Sequence, residues 1–189
     1  MVFYHKAIVA RRTKLFFPLC PCALVSCEKY MLRKAIIEDV EKIYKLINDF
    51  AAKNVMLPRS LSELYENIRD FFVFIENDNL IGCAALHIFW KDLAEIKSVA
   101  VLESHQRKGV GKKLAMACVR EAKKLQIAKM FVLTYVPEFF EKCGFRRVEK
   151  ETLPHKIWSE CVKCHKFPDC GEIPLIYELN KNNGRGTAL

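Results

Sequence analysis

After position 31, Arg, Lys, Asp or Glu breaks every hydrophobic run of the 189-residue chain before it reaches the roughly eighteen residues that a membrane-spanning helix needs. The body of the chain is therefore expected to be soluble, with no membrane partner. Glycine and proline are sparse, at 7 residues each, while hydrophobic residues make up 51% and charged residues 28%, which excludes collagen-like, low-complexity and disordered classes. Neither G-x-x-x-x-G-K-[ST] nor G-x-G-x-x-G occurs, so the commoner nucleotide loops are excluded as well. The net charge of +9 is not gathered into a Lys/Arg block or a basic helical stripe with interleaved aromatics. Nucleic acid is not an expected partner; an anionic small molecule suits the modest positive balance.

Cysteine is what the chain has in excess. A count of 9 would suggest a disulfide scaffold in a short secreted protein, but a chain of this length can bury a core without staples, and an odd number cannot pair completely. Reduced thiols in a cytoplasm are the simpler account. Cys83, Cys118 and Cys143 lie inside apolar patterns and read as core.

The first thirty residues stand apart. Their apolar run from Leu15 to Cys27 follows Lys6, Arg11, Arg12 and Lys14, is broken by Pro18 and Pro21, and contains Leu24-Val25-Ser26-Cys27, which looks like a bacterial lipidation box. Met31 follows at once, and Leu32-Arg33-Lys34-Ala35 begins a strand. Residues 1–30 are read as a disordered leader or a misassigned start, 31–180 as one domain and 181–189 as a flexible tail.

Within the body, Val40, Ile43, Tyr44, Ile47, Phe50 and Ala51 recur at three- and four-residue steps and predict an amphipathic helix from about Glu38 to Lys53. Ser60 with Glu63 predicts a capping box and a second, shorter helix. Phe71–Ile75 and Leu80–Trp90 read as a hairpin about Glu76-Asn77-Asp78-Asn79, and Ala94–Val101 extends the meander. A helix over Gly109–Leu125, a strand over Lys129–Thr134, a short helix over Pro137–Cys143, and strands over Phe145–Lys150 and Ile173–Leu179 complete the order. The expected fold is α/β (α+β): a mixed central sheet of about six to seven strands with helices on both faces.

The segment that carries most chemistry joins Val101 to the third long helix. Gln106, Gly109 and Gly111 bracket a loop in which glycine lets backbone approach a ligand, and the first helical N–H groups point at whatever anion arrives. Arg107, Lys108 and Lys112 add positive charge, and Val110 begins the helix. Together they predict a pyrophosphate cradle.

Gln-x-x-Gly-x-Gly after a strand resembles the acyl-CoA loop of the GNAT superfamily of N-acetyltransferases, and Tyr135-x3-Phe139-Phe140-x3-Gly144-Phe145 resembles its next motif. Met56–Tyr65, Ile81–Trp90, Asp92–Val101 and Leu133–Phe140 look like the short, single-domain bacterial N-acetylglutamate synthases. The resemblance implies acetyl transfer from acetyl-CoA to the α-amine of L-glutamate, in arginine biosynthesis. It also implies coenzyme contacts from Val99, Ala100, Val101, the loop from Gln106 to Lys112, and Phe140. A homodimer is compatible with it. Two readings compete: acetylation of another amine, and a non-catalytic CoA- or zinc-binding interaction module.

A protonated amine cannot attack a thioester, so a base must take its proton. Glu95 and Lys97 share one face of the strand that feeds the cofactor loop, and Glu95 is the expected base. A plain Glu95–Lys97 surface pair is the alternative. In many superfamily members a Tyr of the short helix serves the departing thiolate, but Phe139-Phe140 stand there. Tyr135, or the hydroxyl of Thr134, is the nearest substitute; Tyr135 could equally be a cap on the sheet. Arg59 and Lys97 are expected to hold the two carboxylates of glutamate, although Arg59 could also be a solvated loop charge.

Cys161-x2-Cys164 with His165 and Cys170 has enough ligands for tetrahedral zinc, but a dependable zinc ribbon has two such pairs. Zinc is not expected. The preferred reading is a loop that packs Trp158 and Phe167 over the acceptor pocket. His87, among aromatic neighbours, reads as structural.

Overall fold

The computed structural model describes residues 30–153, 162 and 170–179. Strands β1 (Tyr30–Lys34), β2 (Phe71–Glu76), β3 (Asn79–Trp90), β4 (Leu93–Val101), β5 (Lys129–Thr134), β6 (Arg146–Arg147) and β7 (Ile173–Glu178) form one sheet in the order β1-β2-β3-β4-β5-β7-β6. All neighbours are antiparallel except β4 and β5. The β2–β3 turn places Asn77 and Asp78 at φ 47 and 62, the left-handed pair that a two-residue hairpin turn requires.

Both faces of the sheet are covered. Phe71 and Val73 pack with Val40, Ile43, Leu46 and Ile47 of α1 (Val40–Ala51) and Leu64 of α2 (Leu61–Glu66). Phe72 and Phe74, one residue out of phase, pack with Val110, Leu114 and Cys118 of α3 (Val110–Lys124) and with Phe140 of α4 (Pro137–Glu141). Cys83, Cys118 and Cys143 are buried free thiols. Burial drives the thiols of Cys83 and Cys118 up to about 12, which keeps them protonated and inert.

The elements follow the sequence pattern closely, with two instructive departures. The expected strand over Phe145–Lys150 shrinks to two residues, because Val148 next meets Pro174. Proline accepts from the Val148 N–H at 3.1 Å but has no N–H to return, so the ladder stops. Ser60 does cap α2, its Oγ accepting from the Glu63 N–H at 3.2 Å, but the Glu63 carboxylate turns to Arg59.

A partly buried ion pair fixes the entry to α1. Arg33 donates from Nη1 and Nη2 to the two oxygens of Asp39 at 2.6 and 3.1 Å, and the Ile36 N–H donates to the same carboxylate at 2.9 Å. Burial alone would raise the Asp39 pKa, but the Arg33 and Ile36 hydrogen bonds and the nearby positive charge outweigh it and hold it below the usual value. The resulting stability is fully present above the unfolded carboxylate pKa and is lost as pH falls through the lower folded value. Asp39→Ala should cost about 2 to 3 kcal/mol, read as a lower urea midpoint at neutral pH, with the deficit shrinking in acid.

Candidate active site

The parallel β4–β5 ladder pairs only Leu93, Ala94 and Glu95 with Lys129, Met130 and Phe131. Beyond Glu95 the strands part. The cause lies on the other side of β4, where Cys83 and Ala85 of β3 pair with Ala100 and Lys97, so that three steps on β4 meet two on β3. Ser98 absorbs the extra residue at φ 52, a β-bulge that bends β4 away from β5. Nothing in the sequence marks this bulge, since a serine at positive φ has no signature of its own.

The parting opens a cleft of about 1340 Å³, lined on one side by Val99, Ala100 and Val101 and on the other by Val132, Leu133, Thr134 and Tyr135. That volume exceeds an ordinary small-ligand pocket and leaves room for two reactants end to end. At one end stands the start of α3. Its first intrahelical bond runs from the Lys113 N–H to the Gly109 carbonyl at 3.0 Å, so the preceding N–H groups have no helical acceptor. Gly109 holds φ 82 as the N-cap, which only glycine adopts without strain. At Gly111 a Cβ would press on the Phe139 ring at 3.2 Å, so the small residue allows α3 and α4 to meet.

The three expected cations separate. Arg107 lines the cleft with Gln106 and Gly111, Lys108 and Val110 line a hollow on the far side with His105 and Tyr30, and the charge of Lys112 reaches Cys143. The loop is held from several directions: the Gln106 side chain donates to the Val101 carbonyl at 3.1 Å, and Lys53 pairs with Glu103 at 2.5 Å. Phe140 touches the cleft but is only 3% exposed, stacked edge-on between Phe139 and Phe145.

At the other end, Glu95, Lys97 and Arg59 come together. The Lys97 ammonium lies 3.1 Å from the Glu95 carboxylate, whose side chain is 12% exposed, so this is not a surface pair. Burial raises the Glu95 pKa; the charge and hydrogen bond of Lys97, with His87 and Arg59 beyond it, pull it back only in part. Arg59 is paired with Glu63, and its backbone is clipped to α1 by Asn48, which donates to the Arg59 carbonyl at 2.9 Å and accepts from its N–H at 3.3 Å. Asn48 was not visible in the sequence, because a helical Asn at that spacing also suits a solvated face.

Thr134 is buried, its Oγ1 accepting from the Val136 N–H at 3.1 Å. Tyr135 is exposed at the strand end, near the backbone of Gly171. Lys150, Cys170 and Glu172 close this end, with the Lys150 ammonium donating to the Cys170 carbonyl at 2.8 Å. Cys161, Cys164, His165, Trp158 and Phe167 lie outside the described residues, as does the leader up to residue 29. Among the described residues no three potential metal ligands cluster, and no helix is long and apolar enough to cross a membrane.

A cleft between parted parallel strands, ending at a glycine-opened helix with Arg107 beside it, fits a pantetheine chain and its diphosphate, and the fold and cleft define an acetyl-CoA-dependent acetyltransferase. The sequence profile of the Acetyltransferase (GNAT) family matches residues 37–145, and the chain belongs to that family. An amino-acid acetyltransferase from Mycobacterium tuberculosis is 33% identical over 150 residues, covering 78% of this chain and 86% of that relative. Among solved structures, Rv2747 from Mycobacterium tuberculosis in complex with CoA and NLQ matches at a TM-score of 0.69 and 30% identity, over 79% of this chain and 99% of that one. N-acetylglutamate synthase from Neisseria gonorrhoeae, complexed with coenzyme A and N-acetyl-glutamate, matches at a TM-score of 0.74 and 27% identity, over 80% of this chain but 35% of that longer one.

Proposed function

We propose that this enzyme transfers the acetyl group of acetyl-CoA to the α-amine of L-glutamate, as a cytoplasmic step towards arginine. The observation that carries the proposal is the meeting of one buried carboxylate, Glu95, with two cations, Lys97 and Arg59, at the end of the cleft remote from the α3 N-terminus. The amino-acid acetyltransferase and N-acetylglutamate synthase relatives support the same acceptor.

Acetyl-CoA supplies an activated thioester. The α3 N–H groups, Gln106 and Arg107 hold its diphosphate, and the edge of Val99–Val101 receives the pantetheine chain. Arg59 and Lys97 take the carboxylates of the acceptor. Glu95 accepts the proton of the amine as nitrogen attacks the carbonyl carbon, and its raised pKa brings it nearer the basicity that this task needs. Tyr135, or Thr134 beside it, is the proposed donor to the departing sulfur, since both line the cleft. No acetyl-enzyme forms, so initial-rate plots should intersect; parallel lines would overturn direct attack.

The acceptor is tested by offering acetyl-CoA with a panel of amines to the purified chain. L-Glutamate should give a kcat/KM at least about tenfold above aspartate, glutamine and spermidine, because glutamine and spermidine leave at least one of two cations unsatisfied and aspartate, one methylene shorter, does not span both. Glutamate failing to outrank any of the three would remove the specific claim while leaving the family intact.

A further inference from the structure

His87, read from the sequence as structural, stands directly opposite Glu95 across the β3–β4 ladder, on the same face of the sheet. Side chains of such a pair lie about 5 Å apart at Cβ. We propose that His87, oriented by Asp70, is the exit for the proton that Glu95 takes from the amine. This rests on the reading of Glu95 as the base.

Three neighbours act electrostatically on the Glu95 carboxylate: Lys97, His87 and Arg59. Lysine and arginine are cations with donors only and no lone pair to offer a proton. Of the three, His87 alone can accept one. Its Nδ1 lies 2.9 Å from Oδ2 of Asp70. An ionised Asp70 carboxylate only accepts, so Nδ1 would carry the hydrogen and, in the neutral imidazole, the lone pair would sit on Nε2. The exposure gradient runs the same way, from 12% at Glu95 to 26% at Asp70 and 37% at His87. Among the described residues His87 is not part of the cleft lining, and its side chain is partly exposed, which gives it a route to water separate from the space in front of Glu95.

The step balances without an added reagent. The N–H bond of the amine breaks and an O–H bond forms on Glu95. That O–H bond then breaks as Nε2 of His87 takes the proton, and the imidazolium returns it to solvent water. Asp70 stabilises the transient cation and restores the tautomer.

His87→Gln keeps the size and a hydrogen bond to Asp70 but cannot relay. It should lower kcat about tenfold or more, with KM for both acetyl-CoA and L-glutamate within about twofold of the parent, and with a larger solvent deuterium effect on kcat. His87→Ala should fall as far and recover part of its kcat on addition of imidazole. Asp70→Asn, which releases the tautomer, should lower kcat by a smaller factor and serves if the His87 variants fold poorly. A kcat within twofold of the parent in both His87→Gln and Asp70→Asn would overturn the relay and mean that Glu95 discharges to cleft water. A rise in the L-glutamate KM at constant kcat would overturn it in favour of acceptor positioning. Glu95→Gln retaining turnover would remove the base itself, which separates failure of the parent reading from failure of the relay alone.

Discussion

Glu95→Gln should reduce turnover by about a thousandfold while leaving the affinity for coenzyme A within about twofold of the parent. The asymmetry follows from the cleft. Glu95 belongs to the last paired rung of the β4–β5 ladder, whereas the end of the cleft proposed for the diphosphate is built from Gln106, Arg107 and the start of α3. An amide at position 95 keeps the shape and a contact to Lys97 but has no basic oxygen to take a proton. Stability should not fall with activity. Burial raises the Glu95 pKa, so the folded protein holds that proton more tightly than the unfolded chain, and Glu95 lowers stability progressively as pH rises from the unfolded value through the folded one. Glutamine removes this penalty, and the melting temperature at neutral pH should stay level or rise. The same shift sets the acid limb of kcat/KM above the ordinary carboxylate range. Full activity in Glu95→Gln would remove it from the mechanism; a matched loss of activity and melting temperature would make its role structural.

Much of the fold was legible because its signals are local. The continuous β-rich apolar run of β2, the spaced apolar stripe of α1 and the Asn77-Asp78 turn each rest on side chains within a few residues of one another. The cofactor loop was legible for a different reason: Gly109 and Gly111 are required by backbone conformation and close packing, and such requirements leave a trace in residue type. The bulge at Ser98 leaves none, yet it opens the cleft. Non-local pairings were equally silent. That Asn48 clips Arg59 from α1, that Asp70 meets His87, or that Pro174 ends β6 depends on which segments the sheet brings together. The cations of the cofactor loop show the limit of reading charge along the chain, since Arg107, Lys108 and Lys112 are near neighbours in sequence but leave the α3 start in three directions.

Lys97→Met should alter the enzyme twice, and the two effects separate by pH. Lys97 lies 3.1 Å from Glu95, and its charge and hydrogen bond pull the Glu95 pKa down against burial. Methionine keeps most of the stem volume but removes both, so the Glu95 pKa rises further and the acid limb of kcat/KM should move to higher pH. Lys97 is also proposed as an anchor for an acceptor carboxylate, so the L-glutamate KM should rise by about tenfold to a hundredfold even on the alkaline plateau, where Glu95 is ionised in both proteins. Arg59→Met distinguishes the contributions. Arg59 acts on Glu95 more weakly than Lys97 does, and its charge is already shared with Glu63. It should raise the L-glutamate KM with a smaller displacement of the acid limb. If Lys97→Met moved the limb and left the plateau KM unchanged, Lys97 would be a tuner of the base only, and Arg59 the one cation of the pair that binds the acceptor.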